Sequence, residues 1–321
     1  MAGPGEFELI REYFSSRFQT GARPGGVDSS VVLGIGDDCA LLSPPAGKLL
    51  ATSVDTLVAD VHFPATADPY RIAGRALRVN LSDLAGMNAE PLWFTLALTL
   101  PESNADWLEP FARGLAETAL SYGITLVGGD TTKGPLSITV QVTGSCQTPL
   151  RRDGAGAGDI VFVSNQLGAA AAALPIVLGE YSPSETQRQQ ADTAYYFPEP
   201  QLQLARAIGP YASAALDISD GLLADLGHIC EASGLGAELR LDNFPVAELA
   251  RSMNAENALE TALTGGDDYQ LCFTVPERHL DAIDKLQLPI TAIGRMCKEP
   301  GIRCQLNGKS WLPHGRGYQH F

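Results

Sequence analysis

The chain has 321 residues, 45% hydrophobic and 18% charged, a composition of ordinary folded domains that excludes whole-chain disorder and predicts about two domains. Lys and Arg number 22 against 37 Asp and Glu, a net charge of −15, so the chain has no general attraction for a phosphate backbone and nucleic acid is not an expected partner. Six cysteines without a CxxC pair fit neither a zinc ribbon nor a disulfide framework, and the N-terminus MAGPGEFELIREYF lacks a basic-then-apolar leader; the expectation is a cytoplasmic protein with no membrane association.

Residues 48–55 (KLLATSVD) read as a buried strand delivering polar side chains at its end. A helix is predicted over 69–87, with Ile72, Ala76, Val79, Asp83 and Met87 on one face, which puts a carboxylate inside an apolar stripe. A strand over 92–100 precedes an amphipathic helix over 106–122 with Trp107, Phe111, Leu115 and Thr118 on one side and Gly123 as its C-cap. Ile138, Val140 and Val142 mark a strand over 137–143.

After GAGAG at 154–158 the β-α order resumes with a strand over 159–164 and an Ala-rich helix over 167–177. The domain boundary is expected near residue 150, giving domains 1–150 and 151–321. Residues 181–200, polar and proline-bearing, read as a surface excursion. A helix from Gln201 and a strand-to-helix junction over 215–229 follow, and no repeat of 20–50 residues is visible. The predicted architecture is a two-domain α/β (α+β) enzyme.

Six polar clusters interrupt this pattern: GIGDD at 34–38, SVDT at 53–56, NLSD at 80–83, GGDTT at 128–132, DISDG at 217–221 and GGDDY at 265–269. In most, an aspartate adjoins glycine or the end of an apolar segment, so a rigid element holds the carboxylate while the backbone can come close to a ligand. Mg²⁺ takes a few carboxylates plus water and substrate phosphates, which makes metal-assisted phosphoryl transfer the matching chemistry. Each cluster alone has a plainer reading: Asp beside Gly is common in turns, and Ser219-Asp220 could cap the following helix. Asp83 resists it, because an ionised carboxylate in an apolar face needs a partner or a metal, Arg75 and Arg78 being the alternatives to metal. Known signatures fail: the P-loop glycine would fall at Arg303, the third dinucleotide glycine at Cys39, and the five histidines form no HExxH pair.

Taken in order, the clusters resemble the thiamine-monophosphate kinase family, within the superfamily that includes aminoimidazole ribonucleotide synthetase and selenophosphate synthetase. The resemblance rests on GEFELI at 5–10, GIGDDCALL at 34–42, DTLVADVHF at 55–63, VNLSDLAGMNAEP at 79–91, GGDTTKGP at 128–135, DISDGLLADLGHI at 217–229, GGDDYQLCF at 265–273 and the terminal GYQHF. It implies an aminoimidazole ribonucleotide synthetase-like fold, with an N-terminal domain whose strands join a partner's in a dimer β-barrel and a C-terminal α/β domain completing the nucleotide and substrate site.

The resemblance also implies transfer of phosphate from ATP to thiamine monophosphate by a homodimer. Several Mg²⁺ ions would be held at Asp38, Ser53, Val54, Asp55, Asp83, Asp130, Asp217 and Asp220, with Asp55, Asp83 and Asp130 at the centre of the chemistry. ATP is expected near Gly129, Asp130, Arg152 and Ser219, and the substrate at His62, Asp267 and Tyr318. Two positions depart from the family pattern: Val54 stands where Thr is common and can offer a metal only its carbonyl, and Asp267 stands where Glu is common and reaches one methylene less far. The competing readings are a superfamily enzyme with another acceptor, a Mg²⁺-dependent phosphohydrolase, and a non-catalytic cation-binding module.

Overall fold

The structure, a computed structural model, describes residues 6–18, 22–23, 26–27 and 30–313. The chain forms two compact units: Met1–Leu84 with Ala89–Gln147, and Ala85–Asn88 with Thr148–Phe321. Among the described residues no helix is long and apolar enough to cross a membrane.

In the N-terminal unit a hairpin of β1 (Val31–Leu33) and β2 (Leu41–Leu42) leads to β3 (Leu49–Val58). Helix α1 (Pro69–Gly86), β4 (Glu90–Leu100), α2 (Ala105–Tyr122), β5 (Thr125–Lys133) and β6 (Ser137–Cys146) follow. The sheet order is β3-β6-β4-β5; β4 and β5, joined through α2, are parallel and the other pairs antiparallel, as a helical crossover requires. Helix α2 matches its sequence signals: the Asn104 side chain accepts the Asp106 N–H at its start, and Gly123 ends it at φ 63°, a conformation glycine adopts without steric cost.

Helix α1 departs from the expected single apolar face. Ile72, Ala73, Ala76, Leu77, Leu81 and Leu84 are buried, and so are Arg75, Asn80 and Ser82, while Met87 lies past the helix end and is exposed. A helix covered on most sides loses the periodicity that marks a half-buried one.

The two faces of the sheet differ. Along β3, Ser53, Asp55 and Leu57 are partly or fully buried, whereas Thr52, Val54 and Thr56 are exposed, the alternation of a strand with one covered face. Pairing register puts Thr56, Thr139, Ala97 and Asp130 in one row on the exposed side.

The C-terminal unit runs β7 (Ile160–Ser164), α3 (Ala169–Val177), α4 (Glu185–Tyr196), α5 (Leu202–Ile208), β8 (Ala214–Asp217) and α6 (Leu222–Ser233). It continues with β9 (Gly236–Arg240), α7 (Glu248–Met253), α8 (Ala258–Thr264), β10 (Leu271–Val275), α9 (Leu280–Lys285), β11 (Ile290–Cys297), β12 (Gly301–Leu306) and β13 (Lys309–Trp311). Its seven-stranded sheet has the order β8-β10-β7-β11-β9-β12-β13, antiparallel except for β9 beside β12. Phe162 and Phe273 stack at 5.5 Å between ring centres in the core.

The expected surface excursion over 181–200 is instead largely helical. Ser184 and Gln187 form a reciprocal capping box that starts α4, and Ala191, Tyr195 and Tyr196 are buried along it. The helix expected from residue 167 begins at Ala169, because Gly168 takes φ 89°.

Candidate active site

The first group of predicted residues lies on β3 and α1. The buried Asn80 ties the two elements: its amide donates to the Ala76 carbonyl at 2.9 Å, and its Oδ1 accepts the Asp55 N–H at 3.1 Å. On the same face, the Ser53 hydroxyl donates to Asp83 Oδ2 at 2.6 Å. Burial first, and then the negative charge of Asp83, push the Asp55 carboxyl up from 3.8 to about 6. A partly desolvated carboxyl raised by a neighbouring negative charge forms, with that neighbour, an arrangement that a hard cation would relieve.

A second group surrounds a cavity of about 700 Å³ in the same unit, lined by Gly34 to Ala40, by Gly128 to Thr131 and by Ile10, Arg11 and Phe14. It brings Asp38, Gly129 and Asp130 to one cavity, together with the cation of Arg11, which was not among the sequence candidates. Its volume suits a small-molecule ligand. Gly129 is required there, since a Cβ would stand 1.9 Å from the Leu96 carbonyl oxygen. Asp130 does not join Asp55: the register puts it on the opposite face of the sheet, the side that carries the Val54 side chain.

His62 lies at the end of a turn that closes through its own N–H to the Val58 carbonyl. Its Nδ1 accepts the Val58 N–H at 3.0 Å, which fixes a neutral ring with the proton on Nε2.

In the C-terminal unit Asp217 ends β8 and is buried, and Ser219 and Asp220 follow in the loop before α6. Neither residue caps that helix; the N-cap is Gly221, with no side-chain bond. The loop is held by Asp225, whose Oδ2 accepts the N–H groups of Ser219 and Asp220 at 3.0 Å each. Burial is the main reason that the Asp225 carboxyl rises to about 6.

Asp267, at φ 70°, donates its N–H to the Ser219 carbonyl at 2.8 Å and accepts the Tyr269 hydroxyl at 2.8 Å. Its neighbour Asp268 is buried and accepts the N–H groups of Gly168 at 2.6 Å and Ala170 at 3.4 Å; burial pushes its carboxyl up to about 7. Arg152 sits in a short 3₁₀ turn beside β8. Arg151 is committed to Asp153, while among the described residues the exposed Arg152 guanidinium has no ion pair. Tyr318 lies outside the described residues.

Among the described residues no three His, Cys, Asp or Glu side chains are gathered as a ready metal cage. Mg²⁺ does not need one, because it keeps several waters and usually takes one or two carboxylates plus substrate phosphates. The Asp55–Asp83 pair fits that demand. Sequence reading missed Asn80, Asp225 and Asp268; only their places inside the NLSD, DISDGLLAD and GGDDY segments marked them.

Comparison with known proteins follows the same segments. Residues 36–146 match the model of the AIR synthase related protein N-terminal domain, and residues 156–307 that of its C-terminal domain. The thiamine-monophosphate kinase of Salmonella typhimurium is 43% identical, over 99% of this chain and 98% of that protein. The crystal structure of thiamine-monophosphate kinase from Stenotrophomonas maltophilia K279a is 38% identical, with a TM-score of 0.83 over 94% of this chain and 97% of that one. A solved structure described as AaThiL complexed with AMPPCP and TMP is 31% identical, with a TM-score of 0.78 over 99% and 97% of the two chains. The chain therefore belongs to the AIR synthase related family, and within it to the thiamine-monophosphate kinases.

Proposed function

We propose that this chain phosphorylates thiamine monophosphate with ATP, giving ADP and thiamine diphosphate, as the last step in forming that cofactor. The observation that carries this reading is the AaThiL complex holding AMPPCP and TMP, in a fold that this chain matches over 99% of its length. The acceptor is a phosphate already ionised near neutral pH, so no strong general base is required, and positioning with charge neutralisation dominates the chemistry.

Mg²⁺, when bound, would offset the negative charge of the phosphate groups during transfer. Asp55 and Asp83 are its best-supported holders, on their mutual repulsion and shared face; Asp38, Ser53, the Val54 carbonyl, Asp130, Asp217 and Asp220 are assigned by resemblance. Gly129 and Asp130 would meet the nucleotide at the 700 Å³ cavity. In the C-terminal unit, Ser219 would offer its hydroxyl and Arg152 a fork of donors to phosphate oxygens. His62, Asp267 and Tyr318 are assigned as substrate contacts by resemblance.

We assign residues 1–150 to dimerisation and to Mg²⁺ and ATP binding, and residues 151–321 to further nucleotide and substrate contacts. The exposed sheet face carrying Thr52, Val54, Thr56 and Gln141 is the surface on which a partner's strands would close a barrel. The cytoplasm is the compartment assigned, and six free cysteines suit its reducing conditions.

The test is an assay with ATP, Mg²⁺ and thiamine monophosphate that follows both products. Equal thiamine diphosphate and ADP, abolished by EDTA, is the expected result. ADP formed equally without acceptor would replace the kinase with a phosphohydrolase, and no turnover despite nucleotide binding would point to another acceptor.

A further inference from the structure

We infer that Asp225 is a positioning residue for phosphoryl transfer, a clamp that sets the backbone of the Ser219–Asp220 loop so that both side chains stay uncommitted for ligand. The inference rests on the roles proposed above for Ser219 and Asp220. Asp225 is 4% exposed, and one of its carboxylate oxygens accepts both loop N–H groups at 3.0 Å. Its own N–H closes the first turn of α6 on the Gly221 carbonyl at 3.0 Å. The carboxylate thus reaches back from the helix to the two residues ahead of the N-cap, and no apolar residue of its size could replace that contact.

From the other side the loop is held by backbone alone. The Ser219 carbonyl accepts the Asp267 N–H at 2.8 Å, and the Ile218 carbonyl accepts the Tyr269 N–H at 2.8 Å. A Cβ on Gly266 would stand 2.4 Å from the Ser219 carbonyl oxygen, and one on Gly221 2.6 Å from the Thr264 carbonyl oxygen. With its N–H and C=O both engaged, Ser219 keeps only its hydroxyl for a ligand, and Asp220 keeps its carboxylate. Among the described residues neither side chain makes a hydrogen bond or ion pair. A polar loop held at the N–H groups of Ser219 and Asp220 and at the Ser219 carbonyl, and left free at its side chains, is pre-organised to bind rather than merely to turn.

The test uses the full chain with Asp225→Ala, Asp225→Glu and Asp225→Asn, alone and combined with Asp220→Asn. Hydrogen exchange of the Ser219 and Asp220 amides in metal-free protein reads the clamp, and calorimetry with a non-hydrolysable ATP analogue and Mg²⁺ reads its effect. Asp225→Ala should exchange faster at those two amides and bind the analogue about tenfold or more weakly, as loss of two bonds to a charged acceptor predicts. Asp225→Asn, which keeps an acceptor oxygen, should recover most of the protection. Asp225→Glu, which keeps the charge and moves it by one methylene, should weaken binding without loss of fold, so the test survives an Ala variant that fails to fold. Adding Asp225→Ala or Asp225→Glu to Asp220→Asn should cost less than the separate losses summed, since the clamp acts through the loop. Wild-type analogue binding in a folded Asp225→Ala or Asp225→Glu chain, or full additivity, would overturn the assignment. These readouts decide the clamp even if thiamine diphosphate formation, the test of the acceptor, fails.

Discussion

Asp83 touches Ser53 and raises Asp55, so its charge is felt at two residues of β3. Asp83→Asn keeps the shape and a hydrogen-bonding oxygen while removing half of the repelling pair. The expected result is a folded variant whose turnover falls by about two orders of magnitude or more, the scale seen when a charge-stabilising group is removed; a kcat within a few fold of wild type would take Asp83 out of the site. Asp268 gives a prediction about pH. Its carboxyl is raised from 3.8 to about 7 in the folded chain, so the folded state keeps a proton that the unfolded chain releases near 4. Stability contributed by this group is therefore present below about pH 4 and declines as pH rises to about 7, by roughly 4 kcal/mol in all. Asp268→Asn keeps one acceptor oxygen, for the shorter bond from Gly168, gives up the longer one from Ala170 and removes that titration, so thermal midpoints between pH 4 and 7 should fall less steeply than in wild type; an unchanged slope would refute it.

At the scale of elements, α2 was legible because its signals are local: Asn104, an apolar stripe and Gly123 all lie within one stretch of chain. Helix α4 was hidden by its polar composition, although Ser184 and Gln187 carried the capping signature three residues apart. Most of the aspartate clusters were legible for a similar reason, the carboxylate adjoining glycine or the end of an apolar segment, although Asp55 proves to lie within β3 and Asp83 within α1. What stayed hidden was relational. That Asp130 faces away from Asp55 follows from strand register across β3, β6, β4 and β5, which no local pattern encodes. The packing of α2 on α1 was equally invisible: a Cβ on Gly114 would stand 2.3 Å from the Tyr70 carbonyl oxygen. Gly114→Ala should thus destabilise the chain by about 1–3 kcal/mol through overpacking, despite the better helix propensity of alanine. A denaturation midpoint equal to wild type would show that the helices separate without cost.

For the whole molecule, the exposed face of the four-stranded sheet is the feature that a single chain leaves unexplained. Gln141 sits within it, bonded to Thr52 and Thr95. If a partner's strands cover this face, Gln141→Arg places an unpaired charge inside the barrel and should shift a dimer to monomer in sedimentation velocity. A wild-type chain that sediments as a monomer would remove the barrel from the proposal.

The bond between the Ser219 carbonyl and the Asp267 N–H joins two loops separated by almost fifty residues of chain. If nucleotide binds one loop and acceptor the other, as proposed, the two ligands share a mechanical link, and thermodynamics makes that link symmetric. Whatever factor the acceptor applies to nucleotide affinity, the nucleotide must return to the acceptor. An inhibitor built for either loop would then have a potency that depends on the occupancy of the other.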